Sequence, residues 1–480
     1  MKRVAYDLIV IGAGSAGYAA ALTAHDCGCS VAFVDPGPLG GLCILRGCMP
    51  SKALLASSDA LYDARESGAL GIHVAGTSAD MPFIARRKRE LVKEFAEYRV
   101  DGIEKFPVYC GRAAFLSERE VQVGDDVVLE GRRFIIATGS VPAPPVLPGL
   151  AEAGYLDSDA ILDLERIPES VVVLGGGYTA CELGQFLARM GAKTTVVIRS
   201  DHLLTSADDD VGHALTAYFG DEGIEVFTRA TVLGIERRGN HKVVRVSAGG
   251  QERELVAEEI FSALGRVPNV AGLNLEKAGV RYDASAGIGV DATLRTSNPN
   301  IFAVGDVTGE YLLVHVAIYQ GEVAARNATR DAREEADYRI VSAHAVFTDP
   351  QIGVVGASEK ELERDGRRYA VGRYDFAEHG KAMCLAKPKG FVKMMAALDT
   401  GEILGAAAIG AQASELIHEV IVAMNYRATV ADFMRIPHLH PTLSEIWTYP
   451  AEICAARCGL KEPGDESMEV ATSGTAAQPA

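Results

Sequence analysis

Cysteine is scarce, 9 in 480 residues, too few and too scattered for the disulfide framework of a secreted domain. The thiols are therefore expected to be reduced, in a cytoplasmic setting, and any working pair has to be identified individually. Long apolar runs are missing as well. No window approaches 18 uninterrupted apolar residues, so no segment is expected to span a bilayer. Positive charge is short too: Lys and Arg total 47 against 64 Asp and Glu, a net charge of −17. Such a surface repels phosphate backbones and anionic lipid and argues against a nucleic-acid partner. The start, Met1-Lys2-Arg3 and an apolar stretch, imitates a leader, but Asp7 interrupts it and glycines follow at 12, 14 and 17, so the chain is read as unprocessed. Cys27 and Cys29 have no histidines at ligand spacing, and no metal site is expected.

What is present points to several globular cores. Hydrophobic residues make up 48% and charged residues 23% of a length that accommodates about three domains. A strand from Asp7 to Ile11 leads into Gly12-Ala-Gly14-Ser15-Ala16-Gly17, a helix to about His25, and a second strand, Ser30 to Val34, ending in Asp35. This is the order a dinucleotide-binding crossover needs. Gly12 permits the tight turn, Gly14 the approach of a pyrophosphate, and Gly17 the packing of helix on strand, while Asp35 can accept ribose hydroxyls. The same pattern recurs at Val171 to Leu174, Gly175-Gly-Gly177-Tyr178-Thr-Ala180, a helix to Met190 and a strand Thr194 to Ile198. Two dinucleotide sites imply two cofactors. The second unit ends in Arg199, where a guanidinium can pair with a 2′-phosphate, favouring NADP(H) over NAD(H); a ligand-free surface arginine is the alternative.

Between them lies Gly40-Gly41-Leu-Cys43-Ile-Leu-Arg46-Gly47-Cys48-Met-Pro50-Ser-Lys52. In a regular helix, cysteines five apart sit about 8–9 Å apart on different faces, beyond disulfide reach, so a working pair needs distorted backbone, for which Gly47 and Pro50 are suited. A helix N-terminus favours the thiolate. Two ordinary buried thiols remain the alternative on spacing alone. Val141 to Pro148 reads as an extended linker, and Gly265-Arg-Val-Pro268 closes the second unit. A strand is expected at Ile301 to Val304 and an amphipathic helix at Ser414 to Tyr426. Cys454 and Cys458, four apart on a helix, read as packing residues in preference to an auxiliary thiol pair.

These motifs resemble the pyridine nucleotide-disulfide oxidoreductases over about residues 5 to 450. The cysteine segment is similar to their redox-disulfide signature, Ala137-Thr138-Gly139-Ser140 to the turn closing the flavin domain, Gly305-Asp306 to the second flavin segment, and Phe347-Thr-Asp-Pro350 to the start of the interface domain. His438-Leu-His440-Pro441-Thr-Leu-Ser-Glu445 looks most like the dihydrolipoamide dehydrogenase branch.

The resemblance implies an α/β fold with two Rossmann-like domains and a C-terminal α+β dimerisation domain. Its divisions are 1–150 for FAD and the disulfide, 151–270 for NAD(P), 271–340 completing the FAD site, 341–460 for dimerisation, and 461–480 as a flexible tail. It also implies FAD, NADP(H) or NAD(H), a dithiol or disulfide substrate, and a homodimer sharing its active sites. Cys43 would be the interchange thiol, Cys48 the charge-transfer thiol, and His440 the acid–base group, oriented by Glu445 and reaching the opposite subunit's disulfide. Lys52 would pair with Glu182 near the flavin, Tyr178 would cover the nicotinamide pocket, and Asp306 would accept the ribityl hydroxyls; Gly41, Ala113, Gly139 and Gly265 complete the cofactor set. Arg46 departs from the family pattern and would place a positive charge near the disulfide. Gln320 stands where a glutamate is common. Reduction of another disulfide in the manner of glutathione reductase, of Hg(II), direct flavin transfer to quinones, or a structural role with idle thiols remain the alternatives.

Overall fold

A computed structural model describes residues 2–330 and 332–460; the expected tail lies outside them. Strands β1 (Lys2–Ile11), β2 (Val31–Asp35) and β3 (Val108–Cys110) run in parallel, and β4 (Ala113–Phe115), β5 (Glu120–Val123) and β6 (Val127–Ile136) complete one sheet in the order β3-β2-β1-β6-β5-β4. Leu8 to Ile11 are all buried, as a central parallel strand covered on both faces requires. β1 starts five residues before the expected Asp7, because Lys2 to Tyr6 pair with Val127 to Gly131, with Val4 and Tyr6 half-buried against the core and Lys2, Arg3 and Ala5 exposed. Ile301–Ala303 returns from far along the chain to lie parallel to the end of β6.

Helix α1 (Ser15–Asp26) buries Ala16, Gly17, Ala20, Ala21 and Ala24, a small-residue stripe against helix Val314–Arg330. The approach is so close that a Cβ on Gly321 would lie 2.3 Å from the Ala16 carbonyl oxygen. Helix α2 (Leu42–Arg46) is one short turn, α3 (Cys48–Glu66) follows it directly, and α4 (Met81–Ile103) packs against both.

The second unit has the parallel strands Ser170–Leu174, Lys193–Val197, Glu225–Phe227 and Glu259–Ser262, with helix Tyr178–Arg189 after the first. An antiparallel ribbon of Thr231–Arg238, His241–Ala248 and Gln251–Ala257 is inserted before its last strand. The segment expected as a plain linker is partly ordered as strand: Ser140–Pro142 pairs antiparallel with Arg266–Pro268. Each segment lacks a partner of its own, and the pairing satisfies both backbones.

The third unit is a five-stranded antiparallel sheet in the order His344–Val346, Gln351–Gly356, Ile403–Gly410, Phe391–Ala397, Tyr369–Asp375. Every residue of its two strands Phe391–Ala397 and Ile403–Gly410 is buried, with helix Ala413–Asn425 against the first half and Thr448–Arg457 against the second. Cys454 is 0% exposed with its thiol on the Met394 carbonyl at 3.2 Å, and Cys458 contacts the Ala397 carbonyl at 3.5 Å, so both pack against the sheet.

Candidate functional site

A cavity of about 1440 Å³ runs between the first unit, the second unit and the start of the third. Its floor is the first glycine turn. Gly12 has φ +103°, and a Cβ there would lie 2.3 Å from the Ala137 carbonyl oxygen, so only glycine lets β1 and the Thr138-Gly139 turn meet. Gly14 and Gly41 face each other: a Cβ on Gly41 would come within 2.6 Å of the Gly14 Cα. Helix α1 begins with no side-chain cap and no acidic residue in its first turn, which leaves the N–H groups around Ser15 and Ala16 as donors for a pyrophosphate. The Asp35 carboxylate, at the end of β2, accepts from the Ala13 and Gly37 N–H groups at 2.8 and 2.7 Å and so fixes the loop. Ala113, Thr138, Gly139 and Asp306 line the same cavity.

Asp306 is pushed up by burial and accepts the Ser140 hydroxyl at 2.6 Å. Arg266 donates to Ser140 Oγ at 2.8 Å and to its carbonyl at 2.9 Å. Gln320, 1% exposed, accepts the Gly305 N–H at 2.7 Å and donates to the Tyr338 hydroxyl at 2.9 Å. The sequence gives this position little weight, yet it holds the turn that presents Asp306. This cradle of uncapped donors, close glycines and two carboxylates fits a flavin dinucleotide.

The two thiols lie on either side of a break. Gly47, at φ −138° and ψ −112°, interrupts the helical path between α2 and α3, and this brings Cys43 and Cys48 into hydrogen-bonding contact across a spacing that a straight helix would keep apart. Both line the cavity. The hydrogen bond from Cys43 lowers Cys48 to about 7; burial opposes this and the Lys52 charge assists it. Cys43 moves the other way, pushed up by that same bond and by burial, and the Arg99 charge opposes this. Lys52 Nζ lies 2.8 Å from Glu182 Oε2 and 4.3 Å from the Phe347 ring centroid, while Glu182 Oε1 accepts the Phe347 N–H at 3.0 Å. Arg46 lines the same cavity as the two cysteines. Its guanidinium lies 3.6 Å from Asp159 and 3.8 Å from Asp163, and the Lys52 charge also favours the Cys48 thiolate.

The second glycine turn repeats the device. Gly175 has φ +117° and would place a Cβ 2.4 Å from the Ala263 carbonyl oxygen, Gly265 has φ +103°, and Gly177 opens helix Tyr178–Arg189 with no side-chain cap. The Tyr178 hydroxyl shares a 3.0 Å bond with Ser206, and its ring lies 5.5 Å from that of His344, closing one side of the cavity. Arg199 is exposed just beyond Lys193–Val197, with no ion pair among the described residues. The nearby Arg229, which the sequence did not single out, is tied to Asp201 at 3.3 Å.

His440 and Glu445 stand apart from the cavity. His440 Nδ1 is 2.9 Å from Glu445 Oε2; the imidazole is 80% exposed and the carboxylate 15%. His438, by contrast, is half-buried with its side chain turned inward, bonding the Glu419 carboxylate and the Ile436 carbonyl, and so anchors the loop that presents His440. Among the described residues Asp201, His202 and His213 form a group with metal-ligand chemistry. His202 is already engaged there, with Nδ1 on the Leu203 carbonyl at 2.7 Å and Nε2 on Asp209 at 2.8 Å, while Lys360 reaches Asp209 at 2.6 Å. A cation would have to break that network.

Comparison with known proteins agrees with this geometry. The family model described as pyridine nucleotide-disulphide oxidoreductase matches residues 6–321, and that of its dimerisation domain matches 342–451. The chain is 36% identical to a dihydrolipoyl dehydrogenase of Chlamydia pneumoniae, over 92% of this chain and 95% of the relative. It is 31% identical to a mercuric reductase of Bacillus cereus, over 94% and 73%. The solved structure of the HOCl-induced flavoprotein disulfide reductase RclA from Escherichia coli superposes with a TM-score of 0.82 at 25% identity, covering 93% of this chain and 100% of that one. The chain belongs to the pyridine nucleotide-disulphide oxidoreductase family: it is a flavoprotein disulfide oxidoreductase of dihydrolipoyl dehydrogenase-like type, using FAD and NAD(P)H and carrying the family's dimerisation domain. No described helix is long and apolar enough to cross a membrane.

Proposed function

We propose that the enzyme exchanges electrons between NADP(H) and a small or protein-bound dithiol of the lipoyl kind, with Cys43 and Cys48 as its redox pair and His440 acting from the partner subunit. The observation that carries this reading is geometric: Cys43, Cys48 and the Lys52–Glu182 pair line one wall of the cavity that bears the flavin cradle. FAD, when bound, supplies the two-electron relay between nicotinamide and disulfide.

In the reducing direction, His440 accepts the Cys43 proton and the Cys43 thiolate attacks the substrate disulfide, forming a mixed disulfide. The departing sulfur takes that proton from His440. Cys48 thiolate then attacks Cys43 sulfur, closing the intrachain disulfide and releasing the second substrate sulfur as a thiolate, which takes its proton from solvent. NADPH, a proton and one disulfide thus give NADP⁺ and two thiols. Glu445 keeps the His440 ring in one tautomer, Lys52 and Glu182 hold a paired charge beside the cysteines, and Tyr178 excludes water until the nicotinamide displaces it. The exposure of His440 in one protomer supports transfer between subunits.

Mixed dimers test the shared site. Cys48→Ser and His440→Gln homodimers should both be inactive. Unfolding and reassembling them together should restore about a quarter of wild-type turnover, since half the dimers are mixed and each has one complete site. No recovery, with mixed dimers verified by mass, would place both groups in one subunit. Rates with NADPH and NADH against lipoamide, glutathione disulfide, Hg(II) and quinones identify the acceptor; unchanged physiological turnover in Cys43→Ser would sink the thiol route.

A further inference from the structure

Behind the His440–Glu445 pair lies a second imidazole that no motif announces. His379, in the turn between Phe376–Glu378 and helix Gly380–Cys384, is 1% exposed. Its Nε2 is 3.6 Å from Glu445 Oε1, the oxygen that His440 leaves free, and neither ring nitrogen has a hydrogen-bond partner among the described residues. A buried polar nitrogen left unpaired costs about 1–3 kcal/mol, so its placement on that carboxylate calls for a reason.

We infer that His379 is a positioning residue that donates its Nε2–H to Glu445 Oε1 and so sets the proton affinity of His440. The inference rests on His440 being the acid–base group. A rotation of a few tenths of an ångström closes the contact to hydrogen-bond length. Burial pushes His379 down, which keeps the ring neutral, a donor to the carboxylate without a second positive charge beside His440. The other groups facing it are few: Glu445 and His440, the Tyr449 ring edge-on at 6.4 Å, and Tyr374, stacked on Tyr449 at 3.9 Å with its hydroxyl on the Glu378 carbonyl. Glu378 and Lys381 flank it in sequence.

A carboxylate that accepts from two rings gives less electron density to each than one that serves His440 alone. His379 therefore tempers the basicity that Glu445 confers and fixes the plane of the carboxylate, leaving His440 able to release its proton as well as take it.

The test uses the full-length, FAD-loaded dimer with 13C-labelled histidine, following the His440 ring titration by NMR, its resonance assigned by its loss in His440→Gln. His379→Phe removes the donor and keeps a ring; it should raise the proton affinity of His440 about three- to tenfold and move the acidic limb of the pH–rate profile by the same factor. His379→Asn, which keeps a donor, should restore the wild-type titration to within about twofold. If His379→Phe fails to bind FAD, His379→Ser, too short to reach Glu445, takes its place. An unmoved His440 titration in the donor-less variant overturns the inference, as does an asparagine variant that titrates like the phenylalanine one. Full turnover in His440→Gln would instead overturn the acid–base reading itself, so the two failures are distinct.

Discussion

Cys48 owes its acidity to a neighbour before it owes it to any charge: the Cys43 thiol donates to it, burial works against ionisation, and Lys52 adds Coulombic support. Its thiolate should appear with a midpoint of about pH 7 in the two-electron-reduced enzyme, read from the long-wavelength absorbance of the thiolate–flavin contact. Lys52→Met should raise that midpoint by about one unit, the equivalent of ~1.4 kcal/mol; a midpoint in the ordinary thiol range in the unmodified enzyme would refute the assignment. Arg199 is exposed at its strand end with no ion pair among the described residues, and the 2′-phosphate of NADP(H) is its proposed partner. Arg199→Glu should lower kcat/KM for NADPH about 10- to 100-fold, the worth of one charge-assisted hydrogen bond, and leave NADH unharmed. Equal losses with both cofactors would mean that the residue does not discriminate between them.

At the scale of elements, the site is made by turns and helix starts. The turn after β1 works because Gly12 occupies a left-handed conformation against the Ala137 carbonyl. Gly12→Ala should therefore yield protein lacking flavin absorbance, while its far-ultraviolet circular dichroism stays near wild type; a yellow variant would show that the close approach can relax. The Gly305-Asp306 turn depends on helix Val314–Arg330 through Gln320. Gln320→Leu strands the Gly305 N–H and the Tyr338 hydroxyl, and should weaken FAD retention and stability by about 1–3 kcal/mol, measured by flavin release in denaturant. The redox pair shows the same dependence on backbone. Residues five apart in sequence meet only because Gly47 breaks the path between α2 and α3.

Across the whole molecule, buried charges tie the units together. Arg189, with its side chain 2% exposed, reaches Glu222 at 2.7 Å, Asp349 at 3.0 Å in the third unit and Asp59 at 2.8 Å on α3. Lys393, 1% exposed in the five-stranded sheet, meets Asp208 at 2.7 Å and Asp210 and Glu359 at 2.8 Å each. Truncating one member of such a cluster leaves uncompensated buried charge. Arg189→Met should destabilise the protein by about 3–5 kcal/mol in denaturant unfolding, chiefly through Glu222, 5% exposed, and Arg189→Met with Glu222→Leu should recover part of the loss. A single variant as stable as wild type would show that the cluster contributes only surface-like pairing.

The glycine turns, the strand ending in Asp35 and the cysteine segment were legible in the sequence because each is local: the residue types needed for a tight turn, a helix-start anion site or a thiol pair lie within a dozen positions of one another, whereas the terminal histidine motif was legible through family resemblance. The Lys52–Glu182 pair was legible only through family resemblance, since nothing within either segment points to the other. The Arg46 contacts with Asp159 and Asp163 were invisible for the same reason, as those carboxylates come from a different unit. Gln320, Arg266 and His379 carried no usable signal; each acquires its role from a group far along the chain or across a fold boundary. Sequence alone therefore determined which chemistry this protein contains, because backbone conformation and side-chain type are written residue by residue. Tertiary structure decided which charge reaches which thiol, carboxylate or ring, because electrostatic and hydrogen-bonding energies depend on distance in space, which sequence separation does not measure.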